Sequence, residues 1–333
     1  MPDKTYHKIL IIQTAFLGDV ILATAVIEKL HRHFPKAQLD FLLRKGNEGL
    51  LQGHPKLRQV LIWDKKQRKL PHLWQIIRRV RAERYDLVVN LHRFASSGLI
   101  TAFSRAGYTV GFRKNPWSFA FHHRVRHLFG DGTHEVSRNL SLISHLTDAA
   151  LVKPRLYPQS ADTSRVESLK KKPYFCLAPT SVWFTKQWPA EKWIALCDLL
   201  PASRPVYLLG APDDVSQCEV IQARTKHPEV QILAGQLSLL ASAALMADAR
   251  MNFVNDSGPL HLASAVNAPT TAIFCSTLPS FGFGPLADEH WVIEAQPSPH
   301  CRPCGSHGHQ ACPQQHFKCA FDIAPEQALG GLI

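Results

Sequence analysis

Residues 252–274, NFVNDSGPLHLASAVNAPTTAIF, constrain the fold of this chain more than any other stretch. An apolar run ends at Val254, a tight polar turn follows, a helical stretch breaks before Pro269, and a second apolar run begins at Thr271. That is the pattern of one parallel strand–helix–strand unit. It places Asn255 and Asp256 at a strand's carboxyl end and lets Ser257, Gly258 and Pro259 open a helix. Unpaired backbone N–H groups and the helix dipole at such a point favour an anion, and Gly258 lets it come close.

The same pattern recurs along the chain. Short apolar runs at 9–12, 39–43, 60–63 and 87–90 alternate with longer helix-like segments, then restart at 175–177, 206–209, 231–233, 252–254 and 271–274. The expected architecture is α/β, with two Rossmann-like doubly wound domains facing a central cleft. The domains are expected at 1–150 and 173–333, joined by a Pro- and Lys-marked linker at 151–172. A length of 333 residues and 45% hydrophobic content suit two medium-sized cores.

No uncharged stretch approaches the roughly 20 residues of a membrane span, and no signal peptide is evident, so a cytoplasmic location is expected. The formal charge of +12 is uneven: residues 1–150 hold 24 Lys and Arg against 11 Asp and Glu, and the remainder is nearly balanced. The segment 65–84, KKQRKLPHLWQIIRRVRAER, sets Leu73, Trp74, Ile76, Ile77 and Val80 at helical intervals among cations. It reads either as a solvated cationic face or as a surface for an acidic ligand or anionic membrane.

Polar clusters follow several of the expected strands. After the first, Gly18 permits a turn and Asp19 begins a helix, where it either caps the helix or accepts a proton from an attacking hydroxyl. After residues 175–177, Thr180, Ser181 and Lys186 offer hydroxyls and a point charge suited to a diphosphate. Asp213 or Asp214, in GAPDD, caps a helix or meets a ribose. His261 shares a helical face with Ser257 and either packs in the core or reaches a phosphate.

The tail spaces Cys301, Cys304, Cys312 and Cys319 as C-x2-C-x7-C-x6-C. This is a candidate structural zinc or iron site, with reduced thiols packed against the second domain as the alternative. Cys176, Cys197, Cys218 and Cys275 lie in apolar runs and read as core. Gly282, Gly284 and Ala287 satisfy G-x-G-x-x-A, but flanking prolines and the lack of a strand–turn–helix context assign them to a loop.

FLGDVILATAVIEKL, TSVWFTKQWP and NDSGPLHLASAVNAPTTAIF followed by FGP, taken in order across both halves, resemble glycosyltransferase family 9, the ADP-heptose:lipopolysaccharide heptosyltransferases. The resemblance implies a GT-B fold with an ADP-sugar donor on the second domain and an acceptor on the first. It makes Asp19 similar to the family's general base, and Thr180, Ser181 and Lys186 similar to its donor-phosphate contacts. Asp256 then resembles the residue facing the donor sugar, and Ser257, Gly258 and His261 lie where the family binds diphosphate. Asp214 takes the ribose position, and residues 236–238 flank the adenine.

The implied reaction inverts configuration: Asp19 deprotonates the acceptor hydroxyl, and Lys186 with the Ser257–Gly258 helix start stabilises the departing diphosphate. No Asp-x-Asp occurs, so no metal or other cofactor is expected for catalysis. The expected acceptor is an anionic, lipid-linked inner-core saccharide, and peripheral association with the cytoplasmic face of the inner membrane follows. Arg44, Lys45, Arg113 and Lys114 are candidates to hold that acceptor. Two rivals are a related transferase using another nucleotide sugar, and a basic nucleic-acid-binding protein with a Cys-rich metal knuckle. Trp74 is the only aromatic in the basic run, so no stacking platform is read there and no nucleic-acid partner is expected.

Overall fold

The computed structural model describes residues 5–65 and 69–332. Lys66, Gln67 and Arg68 of the basic segment lie outside the described residues. The chain divides into two compact units, one formed by 1–129 with 133–157 and the other by 130–132 with 158–333.

The first unit is built on a parallel sheet of β1 (Lys8–Ile12), β2 (Gln38–Arg44), β3 (Gln59–Trp63), β4 (Leu87–Asn90), β5 (Tyr108–Phe112) and β6 (His123–Val125), ordered β3-β2-β1-β4-β5-β6. Its helices are α1 (Leu17–His33), α2 (Lys69–Glu83), α3 (Ala95–Ala102) and α4 (Glu135–Ser141). β4 is buried at every residue, which is why it reads as a continuous apolar run rather than an alternating one. α1 is buried from Val20 through Leu30, and Lys29 within it donates to the Ala150 carbonyl and pairs with Asp148. α2 turns Leu73, Ile76, Ile77 and Val80 inward, onto Leu10, Ile12, Leu42, Leu61 and Trp63. Asp40 is fully buried on β2, where Arg58, Gln59 and Tyr85 all donate to its carboxylate, so its charge is compensated.

The second unit repeats the plan with β7 (Phe175–Ala178), β8 (Val206–Leu208), β9 (Val230–Ile232), β10 (Met251–Asn255), β11 (Thr270–Phe274) and β12 (His290–Glu294), ordered β12-β11-β10-β7-β8-β9. Its helices are α5 (Ser160–Val166), α6 (Ala190–Leu199), α7 (Val215–Arg224), α8 (Leu239–Ala247), α9 (Gly258–Ala265) and α10 (Lys318–Phe321). Phe175, Trp188, Trp193, Phe253 and Ile273 share its core with Phe317, Cys319 and Ile323 of the tail.

The nine expected strands all form, and β5, β6 and β12 are additional. β5 is interrupted by Gly111, and β6 and β12 are outer strands with partly exposed residues, so none makes a long apolar run. Residues 151–172, expected as a linker, contain α5 and a 3-10 turn at Glu167–Lys170. Among the described residues no helix is long and apolar enough to cross a membrane.

Candidate active site

In each sheet the strand order reverses beside the first strand of the unit, between β1 and β4 and between β7 and β10. In open α/β sheets the crevice beyond the carboxyl ends at such a reversal is the ligand site, because the flanking connections leave in opposite directions. In the first unit, Ile12 pairs with Asn90, so the loops carrying Thr14–Asp19 and Leu91–Phe94 emerge side by side. In the second, Val254 pairs with Ala178, which sets the loop from Thr180 to Trp188 beside the turn at Asp256–Gly258.

Asp19 lies in the first turn of α1. The helix begins at Leu17, so Gly18 is a helical residue and not the turn expected of it. Asp19 Oδ2 accepts the Phe16 N–H at 3.1 Å, so the side chain does cap the helix. Burial pushes its carboxyl up to about 6, helped by the Glu135 carboxylate and opposed by the Phe16 N–H and Arg93. Desolvation dominates, although the residue keeps partial access to solvent.

Sequence reasoning missed the groups around it. Arg93 Nη1 lies 3.3 Å from His127 Nδ1, His127 Nε2 lies 3.8 Å from Glu135 Oε2, and Arg138 Nε donates to Glu135 at 2.7 Å. Burial pushes the Glu135 carboxyl up, but His127 and Arg138 outweigh it and hold the group below its usual value. His92, buried beside Thr14 and Ser97, is driven down to about 3 by burial, Lys65 and Arg93, so it is neutral near neutrality. Phe16 and Phe94, the residues preceding α1 and α3, are 63% and 65% exposed, and Arg44 stacks 4.8 Å over the Phe16 ring. A His, a Glu and two Arg residues dispersed from Arg93 to Arg138 carry no spacing signal. Only the fold brings the loops after β4 and β6 together with α4.

In the second unit, Lys186 Nζ pairs with Asp256 Oδ2 at 2.7 Å, and both side chains are largely buried. Thr277 donates to the same oxygen at 2.5 Å. Asn255, fully buried, ties the site together: its amide nitrogen donates to the Pro179 carbonyl at 2.7 Å and its oxygen accepts the Trp188 N–H at 3.0 Å. Both ends of the Thr180–Lys186 loop are thereby fixed to β10. The sequence put Asn255 at the strand end but revealed no such clamp. Thr180 is buried and Ser181 half-buried in that loop. Ser257 is the N-cap of α9, Gly258 its first residue, and His261 is 5% exposed on its next turn, edge-on to Phe283.

Two other expected contacts are held in local hydrogen bonds. Asp214 Oδ2 accepts the Ala211 N–H at 2.7 Å, folding GAPDD tightly enough that a Cβ on Gly210 would lie 2.8 Å from Asp214 Cβ. Ser238 caps α8 through the Ala241 N–H, and Gln236 bonds the Ile232 carbonyl. Of the four expected acceptor cations, Lys45 pairs with Asp64, Arg44 stacks on Phe16, and Arg113 and Lys114 are exposed.

The Cys-rich tail packs onto the Thr180–Lys186 loop. Thr185 N–H donates to the His309 carbonyl and His309 N–H to Thr185 Oγ1, at 3.1 and 2.8 Å. Gly308 has a φ of +80°, and a Cβ there would lie 2.9 Å from Thr185 Oγ1 and 3.1 Å from Lys186 Cγ. Gly308→Ala should therefore displace Lys186 from Asp256 and destabilise the second unit by about 1–3 kcal/mol with the fold retained, as read by thermal unfolding and circular dichroism. Unchanged stability would mean that the tail does not position Lys186.

The tail thiols are free: Cys301, Cys304 and Cys312 are half-buried and Cys319 is buried. Burial and the neighbouring thiols raise Cys304, and raise Cys319 to about 12. Among the described residues no group of three or more His, Cys, Asp or Glu is arranged to hold a metal ion, so the expected four-thiolate site is not assembled. Gly282 closes a 3-10 turn at Pro279–Phe281, as a loop residue.

The family model described as glycosyltransferase family 9 (heptosyltransferase) matches residues 73–311. Lipopolysaccharide heptosyltransferase 3 of Escherichia coli is 29% identical over 284 residues, covering 79% of this chain and 82% of that protein. Lipopolysaccharide heptosyltransferase 1 of Pseudomonas aeruginosa is 25% identical over 344 residues, covering 97% and 93%. The structure of the E. coli ADP-heptose lipopolysaccharide heptosyltransferase II superposes with a TM-score of 0.80 at 22% identity, over 98% of this chain and 97% of that one.

Proposed function

The chain belongs to glycosyltransferase family 9 and has the GT-B fold, and on that premise we propose that it transfers heptose from ADP-heptose to an inner-core sugar of lipopolysaccharide, with inversion. The relatives named for that reaction support the donor and acceptor class. One observation carries the reading: Lys186, Asp256 and the N-terminus of α9 converge at the strand reversal of the second sheet.

In this reading the second unit holds the donor. Ser257, Gly258 and His261 on α9, with Thr180 and Ser181 opposite, receive the diphosphate, and Asp214 meets the ribose with residues 236–238 beside the adenine. Lys186, held by Asp256 before the donor arrives, turns to the phosphate oxygens as negative charge grows on them. Asp256 is then released to face the donor sugar. The first unit holds the acceptor. Asp19 removes its hydroxyl proton, and the oxygen forms the new bond to the anomeric carbon as the bond to ADP breaks. Burial, with Glu135 adding to it and Arg93 opposing it, raises the proton affinity of the base, and the exposed rings of Phe16 and Phe94 offer platforms for a sugar face.

Transfer from ADP-heptose to truncated lipopolysaccharide acceptors, with chelator present, tests the proposal. Turnover with a heptose product supports it, and failure of ADP-heptose to bind would sink it. Preference for a uridine or guanosine donor would instead favour the rival sugar nucleotide. The protein is proposed to act in the cytoplasm at the inner-membrane face. A structural metal on Cys301, Cys304, Cys312 and Cys319 is kept as a proposal on their spacing alone, with binding of the ion drawing the four thiolates together. Mass spectrometry of the intact protein should then give one zinc or iron per chain, and a metal-free folded chain would refute it.

A further inference from the structure

We propose that the outer face of α2, with the end of α3 and the turn at Ser118–Ala120, is a docking surface for an anionic bilayer. The inference rests on the reading of a lipid-borne acceptor and adds to it the surface that meets the lipid.

α2 carries apolar side chains on its outer face as well as on its inner one. Leu73, Ile76, Ile77 and Val80 cover the sheet, while Leu70 and Trp74 on the outer face are 67% and 50% exposed. From Trp74 a row of rings runs across the surface: Trp74 to Phe103 at 6.5 Å, Phe103 to Trp117 at 6.0 Å and Trp117 to Phe119 at 5.8 Å between centroids. Phe103 is 40% exposed and Phe119 71%. A contiguous exposed apolar patch needs a partner, unlike scattered surface hydrophobes.

The charge around the row says which partner. Arg78 lies one turn beyond Trp74 and lines the same shallow depression with Pro71 and Gln75. Arg105, Arg113 and Lys114 are exposed beside Phe103 and Trp117 in sequence. Residues 87–130 contain no Asp or Glu at all. Aromatic rings at the headgroup level with cations above them is the composition of an interfacial membrane surface. A second copy of this chain fits poorly, because pairing this face with itself would set like charges against each other.

Cosedimentation of the full chain with vesicles tests this. Binding to phosphatidylcholine vesicles containing about one-third phosphatidylglycerol, weakened by salt and absent on phosphatidylcholine alone, is expected. The exposed double variant Trp74→Ser/Phe119→Ser should lower the partition about tenfold, and Arg78→Glu should lower it chiefly at low salt. ADP-heptose binding is measured on the same samples. Variants that keep both the nucleotide and wild-type vesicle binding would overturn the surface, and so would wild type that binds the nucleotide but no vesicle. Self-association in solution that the double variant abolishes, without vesicle binding by wild type, would give the face to a second copy and equally overturn it. Vesicle binding lost in the variants while no sample binds ADP-heptose would uphold the surface and leave the donor assignment as the failure.

Discussion

Asp19→Asn should abolish transfer, lowering kcat by about 10²–10⁴-fold, the contribution of a positioned general base, while ADP-heptose binds as before. The asparagine keeps the size of the side chain and an oxygen for the Phe16 N–H, so the start of α1 survives. What it lacks is a basic oxygen. For wild type the rate should rise with pH through about 6, where the carboxyl loses its proton, and level off above. The stability effect has the opposite sign. A folded-state value raised from 3.8 to about 6 means that the folded chain holds this proton more tightly than the unfolded chain, so stability falls as pH climbs through that window. Removing the charge should therefore stabilise the first unit at neutral pH by at most ~3 kcal/mol, because the carboxyl keeps partial access to solvent. A variant both inactive and more heat-resistant is the expected outcome. One that is fully active would remove Asp19 from the chemistry, and one that is inactive and unfolded would make it merely structural.

Lys186→Gln should cost about 10²–10³-fold in kcat, the usual loss when a preorganised group facing developing charge is removed, together with weaker ADP binding. It also strands Asp256, which is largely buried, with Thr277 as its remaining donor. Breaking a buried ion pair from one side destabilises by up to about 3 kcal/mol here, less if Asp256 takes up a proton. Lys186→Arg keeps the charge and should restore stability while leaving kcat depressed, since a planar guanidinium cannot replace a compact ammonium within the Asp256 site. Equal recovery of rate and stability by arginine would show that charge alone matters. Single-turnover measurements at saturating donor separate the loss in chemistry from the loss in binding.

Most strands of both sheets were legible because parallel strands are buried on both faces and so announce themselves as apolar runs. Residues 9–12, 87–90 and 252–254 are such runs, and the polar residues just past them mark where a ligand site can be built. β6 and β12 were not legible, since outer strands meet solvent and alternate irregularly. The turn expected at Gly18 failed for a related reason: a helix start depends on which N–H groups find partners, and Asp19 supplies one to Phe16 from three residues ahead.

The family resemblance assigned tasks to Asp19, Lys186 and Asp256, but it did not reveal what holds or tunes them. The Asn255 clamp on Pro179 and Trp188, the Thr185–His309 bonds, and Glu135 beside Asp19 all join residues far apart in the chain. The sequence by itself determined the order of the elements and the polar turns at their ends, because strand burial and helix initiation are local patterns of side-chain chemistry. Which of those turns meet, which carboxyl is desolvated, and which aromatic rings line up outside the core were decided only by the tertiary structure, because burial and electrostatic neighbours depend on the strand order that folding imposes.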